Sequence, residues 1–102
     1  MVDLKELREQ IDGIDSQIVE LFEKRMDVSR QVAEYKIGAG KKVFDREREK
    51  AKISAVKGKA HNEFNQHGVE ELFLQIMAMS RKLSKTTMFL FPIQMDWQWL
   101  LQ

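Results

Sequence analysis

The sequence has no cysteine, one proline and five glycines in 102 residues. Without cysteine there are no disulfides, no thiolate nucleophiles and no thiolate-held metals, and the redox compartment stays open. With its only proline at position 92, the first ninety residues are nearly free of helix breakers. Neither sign of charge dominates, since 17 Lys and Arg face 16 Asp and Glu for a formal charge of +1. There is thus no global field to draw nucleic acid or an anionic membrane surface, no basic stripe free of acids is visible, and any anion site must be local. The start, "MVDLKELREQ", is charged, and no segment approaches the roughly 20 apolar residues that cross a bilayer. The expectation is a soluble, cytoplasmic protein with one modest core.

What is present is helical periodicity. Leu4, Leu7, Ile11, Ile14, Ile18 and Leu21 recur at alternating steps of three and four, and the series continues through Arg25, Val28, Val32 and Tyr35. One arginine thus stands in an otherwise apolar seam. The first helix is expected from an Asp3 cap to about Ile37, where "GAG" stops it. At about 1.5 Å per residue that helix is roughly 50 Å long, too long to bury its seam within one small globule. A second helix is expected from an Asp45 cap to about Gly58. "GKAHNEFNQHG" reads as a frayed end and loop closed by Gly68, with His61 and His67 solvated. The third helix carries Val69, Leu72, Phe73, Ile76, Met77, Ser80 and Leu83 on one stripe, again with a polar residue in an apolar place. The fold class is all-α, three helices, over residues 1–85. Residues 86–102 form an apolar tail in which alternation permits a short strand, while Trp97, Leu100 and Leu101 equally make a helical face.

The charges gather by helical geometry. Arg25, Ser29, Val32 and Lys36 lie at steps of four, three and four, so Arg25 and Lys36 share a face within about 20° and about 16 Å along the axis. Two long cations over the small Ser29 and Val32 outline a pocket for a small anion. Asp45, Arg48 and Glu49 fall one turn apart on the second helix and can face it, and the third helix offers Ser80 and Ser84. Taken singly, each has a plainer reading: Arg25 as a register-setting residue or the partner of a carboxylate such as Glu49, Lys36 as a dipole-complementing residue, Asp45 as a cap, Arg48 and Glu49 as a solvated face, and Ser80 as a spacer.

"LREQIDGIDSQIVELFEKRMDVSRQVAEYK", then "VFDREREK", then "FLQIMAMS" closely resemble the all-helical chorismate mutases, including the mutase domain fused to prephenate dehydratase in bifunctional enzymes. The likeness spans roughly Leu4 to Leu83. It implies an intertwined homodimer whose long first helices pack together and whose two sites are each shared between chains, with Arg8 coming from the partner protomer. It also implies conversion of chorismate to prephenate in aromatic amino acid biosynthesis, without metal or other cofactor. By the same resemblance Arg8 and Arg25 hold the two substrate carboxylates, Lys36 donates to the ether oxygen and Arg48 supports the field. Asp45 and Glu49 meet the ring hydroxyl, Ser80 assists at a carboxylate and Val32 forms an apolar wall. The family commonly has glutamine or glutamate one turn after the serine of helix three, and here Ser84 stands there, too short for the same direct contact. Two alternatives share these residues: an isochorismate pyruvate-lyase of the same fold, and a non-catalytic dimerisation module with a vestigial site.

Overall fold

A computed structural model of the chain describes the backbone of residues 2–100 and the side chains of residues 2–90. It is all-α, built from α1 (Leu4–Gly38), α2 (Arg46–Lys57) and α3 (Glu63–Leu100), with no strand among the described residues. Each boundary has a local cause. Asp3 is extended, at φ −84° and ψ 133°, and its side chain accepts from the Lys5 amide at 3.2 Å. At the far end of α1, Lys41 N donates to Lys36 O at 2.8 Å and Gly40 N to Ile37 O at 3.2 Å, with Gly40 at φ +67°. That pair of bonds closes the helix through a left-handed residue, which glycine adopts without a Cβ clash. Asp45 caps α2 by accepting from Arg48 N at 3.0 Å.

Two boundaries differ from the sequence reading. Helix α3 begins at Glu63 rather than after Gly68, because Asn62 Oδ1 accepts from Asn65 N at 2.8 Å and Asn62 O from Gln66 N at 2.9 Å. A satisfied cap outweighs the cost of about 1 kcal/mol for an interior glycine at position 68. Helix α3 also runs past Lys85 to Leu100, so the backbone takes the helical alternative where alternation had also permitted a strand. The apolar tail expected over residues 86–102 has side chains that, from position 91, lie outside the described residues.

Helix α3 is the platform. Both α1 and α2 pack on it, and among the described residues α1 and α2 do not pack on each other. Ala33 of α1, Val56 of α2, and Ile76 and Met77 of α3 form the small buried core. Lys57 of α2 is ion-paired with Glu70 of α3, outside that core. The separation of α1 from α2 leaves an opening between them, floored by α3.

Most of the α1 seam is uncovered. Leu4, Leu7, Ile11, Ile14, Ile18 and Leu21 are 41% to 64% exposed. The molecule measures 66 × 31 × 15 Å with a radius of gyration of 18.4 Å, against about 13 Å for a compact chain of this length. Its accessible surface is 8709 Å², whereas a compact monomer of this size exposes about 6,000 Å². No helix among the described residues is long and apolar enough to cross a membrane.

Candidate active site

The opening between α1 and α2 is a cleft of about 310 Å³ lined by Arg25, Val28, Ser29, Val32, Ala33, Val43, Arg48, Ser80 and Ser84. A contiguous recess of about 160 Å³ shares Arg25, Val43 and Arg48 and adds Lys36, Asp45, Glu49, Lys52 and Met77. Helix α1 contributes the face carrying Arg25, Ser29, Val32 and Lys36, as its 3.6-residue period requires. The cap and first turn of α2 contribute Asp45, Arg48 and Glu49, and two successive turns of α3 contribute Ser80 and Ser84.

Arg25 is half-buried and held from three sides. Its Nη1 donates to Ser80 Oγ at 3.3 Å, its Nη2 lies 3.9 Å from Met77 Sδ, and its Cζ sits 5.8 Å from the centre of the Phe73 ring. None of these neighbours carries a negative charge. Glu49, considered from sequence as a partner for Arg25, instead receives Arg81. Among the described residues none of Arg25, Lys36, Arg48 and Lys52 forms an ion pair, although ion pairs occur elsewhere along all three helices. A half-buried guanidinium with no counter-charge is unfavourable unless an anion arrives. Four cations around one opening, with hydroxyls from Ser29, Ser80 and Ser84 and an apolar wall at Val28 and Val32, suit a small oxygen-rich anion.

A family model described as Chorismate mutase type II matches residues 7–85. The chain belongs to that family. The chorismate mutase type II match takes in all of α1 from Leu7, all of α2, and α3 as far as Lys85, and therefore every cleft residue named above. At the level of the family this supports chorismate mutase-type chemistry or that of a close relative. No curated protein matches the chain significantly.

Nine of the ten residues singled out from sequence line the cleft or its recess; Arg8 lines neither. It is exposed on α1, seventeen residues before Arg25, about 25 Å along the helix axis. Six contributors were not read as site residues, among them Val28 and Ala33, which line the cleft from α1 beside Val32. Val43 lies in the connection between α1 and α2, where no periodicity operates. Lys52 follows Arg48 by one turn and was legible by that spacing. Met77 and Phe73 were read as stripe residues, and their contact with a guanidinium depends on how α1 sits on α3. No group of three His, Asp or Glu suited to a metal occurs among the described residues.

Proposed function

We propose that the protein is a chorismate mutase that converts chorismate to prephenate by a concerted rearrangement, in sites shared between the two chains of a homodimer. The observation that carries this reading is the set of cations, Arg25, Lys36 and Arg48, that surround one cleft in a chain of this family and form no ion pair among the described residues. Chorismate bears two carboxylates, and guanidinium groups are their natural partners. Arg25 takes one carboxylate with help from Ser80, and Arg8 of a second copy takes the other.

The reaction is an isomerisation. An ether carbon–oxygen bond breaks as a carbon–carbon bond forms, and no atom is gained or lost. The site therefore has two tasks. Holding both carboxylates selects the compact conformer in which the reacting carbons approach, which lowers the barrier by orientation. Lys36 then donates to the ether oxygen, where negative charge grows only as the bond breaks, so its effect is greater on the transition state than on bound substrate. Arg48 adds to the same field. Asp45 and Glu49 accept from the ring hydroxyl, Val32 forms the wall under the ring, and Ser29 and Ser84 complete the polar rim. The route serves aromatic amino acid biosynthesis.

The exposed seam supports the second copy. The surface beyond that of a compact monomer is roughly 2,700 Å² per chain, or about 5,400 Å² for a pair, the upper end of what permanent dimer interfaces cover. Packing α1 against its symmetry mate covers Ile11, Ile14 and Ile18 and carries Arg8 toward the partner's cleft.

The test is direct. Purified protein is mixed with chorismate, its ultraviolet absorbance is followed and the product identified. Consumption with formation of prephenate is expected. Untouched chorismate together with pyruvate released from isochorismate would assign the lyase instead, and inertness toward both would leave a dimerisation module.

A further inference from the structure

Glu49 stands in a wall between two depressions. On one side it lines the recess with Arg25, Lys36 and Arg48; on the other it lines a depression of about 500 Å³ with Phe44, Asp45, Arg46, Arg81 and Lys85. Arg81 borders only the outer depression, and from there its Nη1 donates to both Glu49 oxygens, at 3.0 and 2.9 Å. The carboxylate is the more sheltered partner, 25% exposed against 44% for Arg81. No other side chain bonds to Glu49 among the described residues.

From this geometry we infer that Arg81 is a positioning residue for Glu49, acting on substrate affinity from behind the cleft wall; the inference rests on the function proposed above, in which Glu49 accepts from the substrate's ring hydroxyl. Two effects follow from the one contact. A glutamate has three side-chain torsions, and a single cation bridging both oxygens fixes the direction its remaining lone pairs face. The same cation offsets a negative charge that would otherwise oppose entry of a dianionic substrate. Residues 80 and 81 make α3 a support for both sides of the site, since Ser80 steadies the Arg25 guanidinium while Arg81 steadies the carboxylate opposite. A ring hydroxyl changes little in charge as the ether bond breaks, so Glu49 binds ground and transition states about equally and its alignment governs KM rather than kcat.

The experiment is chorismate turnover by the full chain as wild type, Arg81→Gln, Arg81→Lys, Glu49→Gln and the double variant Arg81→Gln with Glu49→Gln. Arg81→Gln is expected to raise KM about fivefold with kcat within about twofold of wild type and an unchanged thermal midpoint. Arg81→Lys is expected to restore KM, because only one nitrogen of the arginine makes both contacts. The double variant should be no worse than Glu49→Gln alone, since two residues acting through one contact are not additive. An unchanged KM in Arg81→Gln, or independent losses in the double variant, overturns the inference. A fall in kcat together with the thermal midpoint also overturns it, marking a structural role. A wild-type protein inert toward chorismate refutes the proposed function itself, and this inference with it.

Discussion

At the residue scale the deciding feature is an arginine in an apolar seam. Arg25 is kept there by a serine, a thioether and an aromatic face, none able to neutralise it. A residue needed only for packing or register would be replaced by methionine with little functional loss. Here Arg25→Met is expected to lower kcat/KM at least about 100-fold, while the urea midpoint holds or rises because a desolvated charge has gone. Normal turnover in that variant would refute the assignment. Ser84 points the other way. It lines the cleft, and in the proposed mechanism a serine there leaves the ether oxygen to Lys36 on this side of the site. Ser84→Gln supplies a second, longer donor and is expected to raise kcat about tenfold or more; steady-state kinetics showing no gain would mean that Lys36 suffices. Arg25, Lys36 and Arg48 were legible in sequence because helical spacing alone puts them on common faces. Phe73 and Met77 were not legible as site residues, since their part depends on contact between helices.

At the element scale the caps explain both the successes and the misses. Asp3 and Asp45 were read correctly as helix starts because an Asp before a helical period announces a side-chain acceptor, and both make that bond. The start of α3 was misread because Gly68 is a conspicuous breaker while Asn62, the residue that caps, lies in a polar stretch without an apolar stripe to mark it. Helix α2, the shortest of the three, is aligned on α3 partly by the Lys57–Glu70 pair. The hydrogen bond from Lys57, reinforced by its charge and more weakly by His67, holds the Glu70 carboxyl below the ordinary glutamate range. Its folded-state pKa therefore lies below the unfolded value. The pair's contribution is fully present above the ordinary range and is lost as pH falls through the depressed folded value. Lys57→Met should accordingly be less stable than wild type at pH 7, with the gap closing on acidification in urea titrations. A gap independent of pH would show that the pair does not stabilise the fold. The effect is modest because both side chains are 38% exposed.

At the scale of the whole molecule, length was the informative quantity. A first helix of roughly 50 Å with an apolar seam interrupted by a single arginine already implied a partner, and the structure leaves most of that seam uncovered. The all-α class and the three helices were legible from period and breakers. The opening between α1 and α2 was not, because it arises from the way each helix packs on α3 rather than from any local pattern. Arg8 concentrates the question of assembly. In one chain it is exposed and far from the cleft, which already holds Arg25 and Arg48, yet the proposed function calls for a further guanidinium at the second carboxylate. A second copy resolves this if it delivers Arg8 to the opening.

The most direct test mixes two inactive proteins. Arg8→Ala and Arg25→Ala are each expected to abolish turnover alone. Unfolded together and refolded as an equimolar mixture, they form mixed dimers in which one of the two sites carries both arginines, and the mixture should regain about a quarter of wild-type specific activity. A mixture no more active than the two variants kept apart, with mixed dimers demonstrably present, would contradict the shared site.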